Sequence, residues 1–236
     1  MACLVVGDIH GCYAEFQTLL DRAGLSAGDT IIAVGDLFDR GPEPAAVLAF
    51  FQTTPGAHAL MGNHERKHVR SWRGELPPAA SQTITRQILG EAAYPAAVMF
   101  MEGLPRWCRL PEATIVHGFW EPGVPLEMQR EDVLVGTLVG EAYLKARGCW
   151  PWYAHYDGEQ PLVVGHRDYS GRLQPFIYRD RVFGLDARCC YGGALAGLLL
   201  PAFRLLVVPS RGDHWGALQR RCAATISPTG HAPQDE

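Results

Sequence analysis

The chain has 236 residues, 47% of them hydrophobic and 19% charged, enough to bury the core of a single α/β domain and too apolar for general disorder. A net charge of −4 leaves no broad basic field for nucleic acid, and almost all the positive charge is arginine. Seven cysteines, an odd number without CxxC spacing, argue against a secreted disulfide framework and for a reducing cytoplasm.

The chain opens on an apolar run, ACLVVG, and with the first strand entered by residue 2 or 3 no charged signal segment is expected. YAEFQTLLDRAG from Tyr13 follows, placing Phe16, Leu19, Leu20 and Ala23 on one helical face that ends at Gly24. A second apolar run, TIIAVG, precedes PEPAAVLAFF, which starts with proline as helix N-termini often do. A third, HALMG, completes a βαβαβ beginning. From His64 to Met101 the pattern is mostly helical, interrupted by a loop at 74–79. Strands near 106–118, 162–166, 175–186 and 203–208 are expected as hairpins rather than crossovers, so two mixed sheets flanked by helices satisfy the order. The longest apolar stretch, from Ala194 to Phe203, is too short to span a bilayer and contains Pro201. Residues 1–222 are expected to form one domain and 223–236 a frayed, disordered tail.

Three of the early apolar runs end in chemistry: GDIHG at 7–11, GDLFDRG at 35–41 and GNHE at 62–65. Asp8, His10, Asp36 and Asn63 are oxygen and imidazole donors suited to manganese, iron or zinc, and no cysteine sits among them. Following buried strands, they belong at strand carboxyl ends, where ligands of open α/β sheets collect. A carboxylate such as Asp36 can bridge two cations that clamp a phosphate and deprotonate a shared water. Each of these groups would cost several kcal/mol if buried without partners, and metal ions provide them.

These runs resemble the signatures GDxHG, GDxxDRG and GNHE of the calcineurin-like metallophosphoesterases, in the phosphoprotein phosphatase branch, and the likeness extends over residues 2–209. His117 in TIVHGF and His166 in LVVGH stand where that family has its last two histidine ligands, and VFGLDARCCYGGALAGLLLP is similar to its closing segment. The resemblance implies a four-layer α/β sandwich of two mixed sheets. It implies one metal on Asp8, His10 and Asp36, and a second on Asp36, Asn63, His117 and His166. Manganese is the foremost candidate, with iron, zinc, nickel or cobalt as alternatives. It also implies that His64 protonates the leaving group, oriented by Asp39 and kept charged near neutral pH, and that Arg40 forks onto phosphate oxygens. A second phosphate-binding arginine stays open among Arg66, Arg130, Arg147 and Arg167. The chain departs from the family pattern at Phe119 and Trp120 after Gly118, and at Ala187 and Arg188 where Thr-Gly is usual.

The expected activity is metal-dependent hydrolysis of phosphomonoesters by a metal-activated hydroxide, as in serine/threonine phosphatases, acting on phosphorylated protein or a small phosphate ester or nucleotide. Retention of Asp39 favours monoesters over the first alternative, symmetrical hydrolysis of dinucleoside tetraphosphates. A nucleic-acid end phosphatase is a further option that the acidic balance disfavours, and a metal-stabilised binding or regulatory module is the non-enzymatic one. The aromatic-rich excursion 119–161, with Trp120, Trp150, Trp152, Tyr153 and Tyr156, is either a wall over the metals or a segment pinned to the core by large side chains. Adjacent Cys189 and Cys190 admit redox or metal chemistry, with two small buried residues as the plainer reading. His58, His68, His155, His214 and His231 lack ligand spacing and read as satisfied or exposed.

Overall fold

A computed structural model describes residues 1–222; the tail expected from 223 lies outside the described residues. The first third alternates as expected: β1 (Cys3–Val6), α1 (Tyr13–Ala23), β2 (Thr30–Ala33), α2 (Pro44–Thr53) and β3 (Ala57–Ala59). The left-handed Gly24, whose N–H bonds the Leu20 carbonyl, stops α1. Three helices follow, α3 (Asn63–Trp72), α4 (Ala80–Leu89) and α5 (Tyr94–Glu102). The second half runs β4 (Trp107–Arg109), β5 (Thr114–Val116), α6 (Glu131–Leu134), α7 (Leu138–Ala146), β6 (Leu162–Val164), β7 (Phe176–Tyr178), β8 (Val182–Gly184) and β9 (Asp186–Ala187). It closes with β10 (Ala194–Leu200), β11 (Arg204–Pro209) and α8 (His214–Cys222).

One sheet has the order β11-β10-β1-β2-β3, with β9 beside β10; the other has β4-β5-β6-β8-β7. In the first, β1, β2 and β3 are parallel and β10 antiparallel to β1. The second departs from the expected hairpins: β4–β5 and β7–β8 are antiparallel, but β5–β6 and β6–β8 are parallel. The reason is burial on both faces. Thr114–Val116, Leu162–Val164 and Val182–Gly184 are buried throughout, as central parallel strands are, and a parallel pair needs a long crossover. The 119–161 excursion is that crossover.

Alternation along the strands builds the layers. Leu4 and Val6 face the helical layer with Phe16, Leu19, Val47, Phe51 and Met101, while Val5, Ile32 and Leu198 meet Ile115, Val163 and Phe183 of the other sheet. The opposite face of that sheet, through Val116, Leu162, Val164 and Val182, carries the excursion, including Phe119, Leu144 and Trp152. The molecule is thus a four-layer α/β sandwich with two mixed sheets at its centre. Among the described residues no helix is long and apolar enough to cross a membrane.

Candidate active site

The loops after β1, β2, β3, β5 and β6 meet at one edge, and backbone hydrogen bonds fix them there. His10 N–H donates to the Asp36 carbonyl (2.8 Å) and Gly11 N–H to that of Leu37 (2.7 Å). The fully buried Glu65 carboxylate accepts from Asp36 N–H and Leu37 N–H, both at 2.8 Å, and from Gly62 N–H at 3.0 Å. The Asp8 carboxylate accepts from His166 N–H at 3.1 and 2.9 Å, tying one sheet to the other. The approach is close: Gly35 has φ +126°, and a Cβ there would stand 2.8 Å from Gly62 N, while one on Gly165 would stand 2.0 Å from Asp8 Oδ1. His10, Asp36, Arg40 and His166 all adopt positive φ, backbone strain that marks functional sites when it gathers at one place.

All six expected metal ligands converge. Asn63 Oδ1 lies 3.1 Å from His117 Nε2 and 3.1 Å from His166 Nδ1. Asp36 stands between the two halves, its Oδ1 3.5 Å from His117 Nε2 and its Oδ2 3.7 Å from His10 Nε2. Two triads, Asp8–Asp36–His117 and His10–Asp36–His64, each hold their donor atoms within 4.8 Å of one another. Asp36 is common to both, as a bridging carboxylate must be, and the buried oxygen and imidazole donors suit divalent ions. The residues therefore fit the dinuclear divalent centre that family members use. The first triad groups Asp8 with His117 rather than with His10, unlike the expected division.

Charge follows the same geometry. Burial pushes Asp36 up, but His117 and His64 outweigh it and hold the carboxyl well below its usual range. Burial, with Asp186 close by, pushes Asp8 well up. His117 is driven down by burial and up by Asp36, with the net result near 9. His64 differs from expectation: burial and the Arg40 guanidinium lower it below the ordinary imidazole value, against the pull of Asp36 and Asp39.

His64 Nδ1 meets Asp39 Oδ2 at 2.5 Å, and its Nε2 lies 4.0 Å from Asp36 Oδ2. Asp39 is fully buried and also bonds His68 Nε2 (2.8 Å), Thr85 Oγ1 (2.7 Å) and Ser81 Oγ (3.2 Å). His68, read from sequence as an ordinary satisfied histidine, is indeed satisfied, between Asp39 and the Tyr94 hydroxyl at 2.8 Å. It nevertheless belongs to the site, and its only sequence signal is the helical i,i+4 spacing from His64. Glu65 was likewise missed; it is the final letter of GNHE.

The crevice above these residues encloses about 240 Å³ and brings in Arg40, Arg167, Arg188 and Tyr191. Of the four open arginines, Arg167 alone lines it. Arg66 pairs with Glu131 and Asp132, Arg147 with Glu121, and Arg130 lies over the Tyr143 ring. Arg188, the departure from Thr-Gly, was missed as a cation of the site. None of the aromatics in 119–161 lines the crevice.

The model of the calcineurin-like phosphoesterases matches residues 1–172, and the chain belongs to that family. It is a metal-dependent phosphoester hydrolase. It is 27% identical to an asymmetrical bis(5'-nucleosyl)-tetraphosphatase, PrpE, of Geobacillus thermodenitrificans, over 89% of this chain and 95% of that protein. It is 34% identical to a symmetrical bis(5'-nucleosyl)-tetraphosphatase of Shewanella baltica, over 62% of this chain and 55% of the relative. A crystal structure provisionally assigned as a diadenosine tetraphosphatase superposes with a TM-score of 0.71 at 26% identity, covering 89% of this chain and 93% of that one. A serine/threonine phosphatase of Saccharomyces cerevisiae, at 13% identity and TM-score 0.59 over 89% of this chain and 79% of its own, shares the fold.

Proposed function

We propose that this hydrolase cleaves dinucleoside tetraphosphates asymmetrically, to a nucleoside triphosphate and a nucleoside monophosphate. The observation that carries the reading is the gathering of three guanidiniums, Arg40, Arg167 and Arg188, round one crevice beside the clustered ligands. A phosphomonoester presents one phosphate, which Arg40 and one further arginine suffice to hold; a tetraphosphate carries charge on four successive groups and needs cations beyond that pair. The tetraphosphatase relatives support the same substrate class, and those named asymmetrical align over nearly the whole chain. This displaces the monoester preference drawn from Asp39, because that residue orients the histidine pair whichever ester is cut.

In this reading Asp8, His10 and Asp36 hold one divalent ion and Asp36, Asn63, His117 and His166 the other, with manganese foremost. When bound, two such ions neutralise phosphate charge and lower the pKa of a water. Arg40 forks onto the phosphoryl group under attack, while Arg167 and Arg188 hold the outer phosphates. His64, fixed through Nδ1 by Asp39, presents Nε2 to the bridging oxygen whose bond to phosphorus breaks. Water adds to phosphorus, the bridging oxygen leaves with its nucleotide, and the protons end on His64, the products or solvent. A nucleotide phosphate carries negative charge well, so it leaves with less protonation than a serine or threonine alkoxide needs.

The test compares diadenosine tetraphosphate with a phosphothreonine peptide in manganese, separating products by anion exchange, with Asp36→Asn as the blank. Expected are ATP and AMP in equal amounts, a preference for the dinucleotide, and a loss of orders of magnitude in the folded variant. Two ADP would replace the asymmetric cut by the symmetric one, and preference for the peptide would restore the phosphomonoesterase reading. Unchanged activity in Asp36→Asn would remove the two-metal centre.

A further inference from the structure

Behind the loop that carries His10 lies a second cluster that the hydrolytic chemistry does not use. Cys12 stands at the N-cap of α1 and Glu15 in its first turn, so the i,i+3 spacing places both on one face of that helix end. His214 opens α8 against them, and donor atoms of Cys12, Glu15 and His214 lie within 4.8 Å of one another. The Cys189 side chain, in the turn before Gly192, packs in the same buried cluster as Cys12.

A salt bridge explains only part of this. Glu15 Oε1 accepts from His214 Nε2 at 2.7 Å and from Arg211 N–H at 2.9 Å. Its other oxygen, Oε2, is buried with no hydrogen-bond partner although the residue has no exposed surface. A buried carboxylate oxygen without a donor is costly and demands an explanation. A thiol and an imidazole at the same place supply one.

We infer that Cys12, Glu15 and His214 form a separate metal site for one zinc-class ion. One thiolate, one imidazole and one carboxylate are three ligands of zinc type, with the fourth tetrahedral position left to water, and the thiolate selects softer ions than the oxygen-rich crevice does. The ion satisfies Glu15 Oε2 and ties α8 to the start of α1, two residues beyond His10. Its role is to brace that loop, not to act on substrate. The partly exposed rim at His214 gives the ion an entry path. The assignment is independent of which phosphoester is cut.

Cobalt titration of the full chain, stripped of metal under reducing conditions, tests it. The six ligands of the crevice include no sulfur, and Cys190, which lines it, is unchanged in Cys12→Ser, so thiolate-to-cobalt charge transfer in the near ultraviolet that is lost in that variant reports this cluster. The band is expected to reach the intensity of one thiolate-bound cobalt per chain within the three equivalents that the crevice and this cluster take up, to vanish on adding zinc, and to be absent in Cys12→Ser. His214→Gln, at the rim, is expected to bind cobalt about tenfold more weakly or worse. If Cys12→Ser fails to fold by circular dichroism, His214→Gln decides. No band at saturating cobalt in the parent chain, or an undiminished band in His214→Gln, overturns the site.

Discussion

Arg188 occupies a position that its backbone makes expensive, and that expense is informative. It sits in the left-handed region at φ 55°, where its own N–H donates to Asp186 Oδ1 at 2.7 Å and its guanidinium lies over the Tyr191 ring, 5.4 Å from the centroid. Left-handed backbone costs a non-glycine residue about 1 kcal/mol, and here it brings the Arg188 head group to the crevice. A charge-assisted hydrogen bond is worth about 1.5–3 kcal/mol, and each 1.4 kcal/mol is a factor of ten. Arg188→Ala is therefore expected to lower kcat/KM for diadenosine tetraphosphate by about 10- to 100-fold while leaving p-nitrophenyl phosphate, which has no outer phosphates, within about twofold. Equal losses on both substrates would place Arg188 on the reacting phosphoryl group instead. The aspartate–histidine ligands were legible in the sequence because each ends an apolar strand beside a glycine. Arg188, Glu65 and His68 were not, because their roles depend on which loops meet in space.

At the scale of the element, the 119–161 excursion resolves into packing. Trp152 is fully buried, with its ring 6.3 Å from Phe119 and 5.8 Å from Tyr169, and its indole N–H donates to the Tyr169 hydroxyl at 3.3 Å. The aromatic wall imagined over the metals is instead the outer layer of the second sheet. The excursion touches the crevice indirectly, through Glu141 on α7, which pairs with Arg167 at 2.8 Å, and through Trp150, whose ring that guanidinium faces at 6.0 Å. Trp152→Ala is accordingly expected to cost about 3–5 kcal/mol of stability, read by urea unfolding, with KM for the dinucleotide changed by less than about twofold. A large KM change without loss of stability would return the excursion to the substrate. Density of aromatics in sequence could not decide this: a pinned crossover and a lid need the same residues, and only the parallel β5–β6 pairing identifies the crossover.

For the whole molecule, the two sheets are joined at their carboxyl edge by groups that are costly without ions, so ion binding and folding are coupled. Anything that binds the folded state alone adds about 2.7 kcal/mol at a hundredfold excess over its Kd. For a chain of this size that is a rise of about 5–11 °C in Tm. The sign with pH follows from the ligands. His117 is raised in the metal-free chain to about 9, so its protonated form supports that state fully below about 6.5 and is lost as pH rises through 9. A metal ligand must be the neutral imidazole, so ion binding displaces that proton and strengthens across the same interval. Asp8, raised by burial and by Asp186, must also lose a proton and acts in the same direction. Burial already holds His10 and His166 neutral, so they add no dependence there. The difference in Tm between manganese-loaded and chelator-stripped protein is therefore expected to widen from about pH 6.5 to about pH 9. Calorimetric titration of the stripped chain should show proton release that diminishes over the same range. A Tm difference independent of pH would mean that His117 does not give up a proton to the ion, and would remove it from the ligand set.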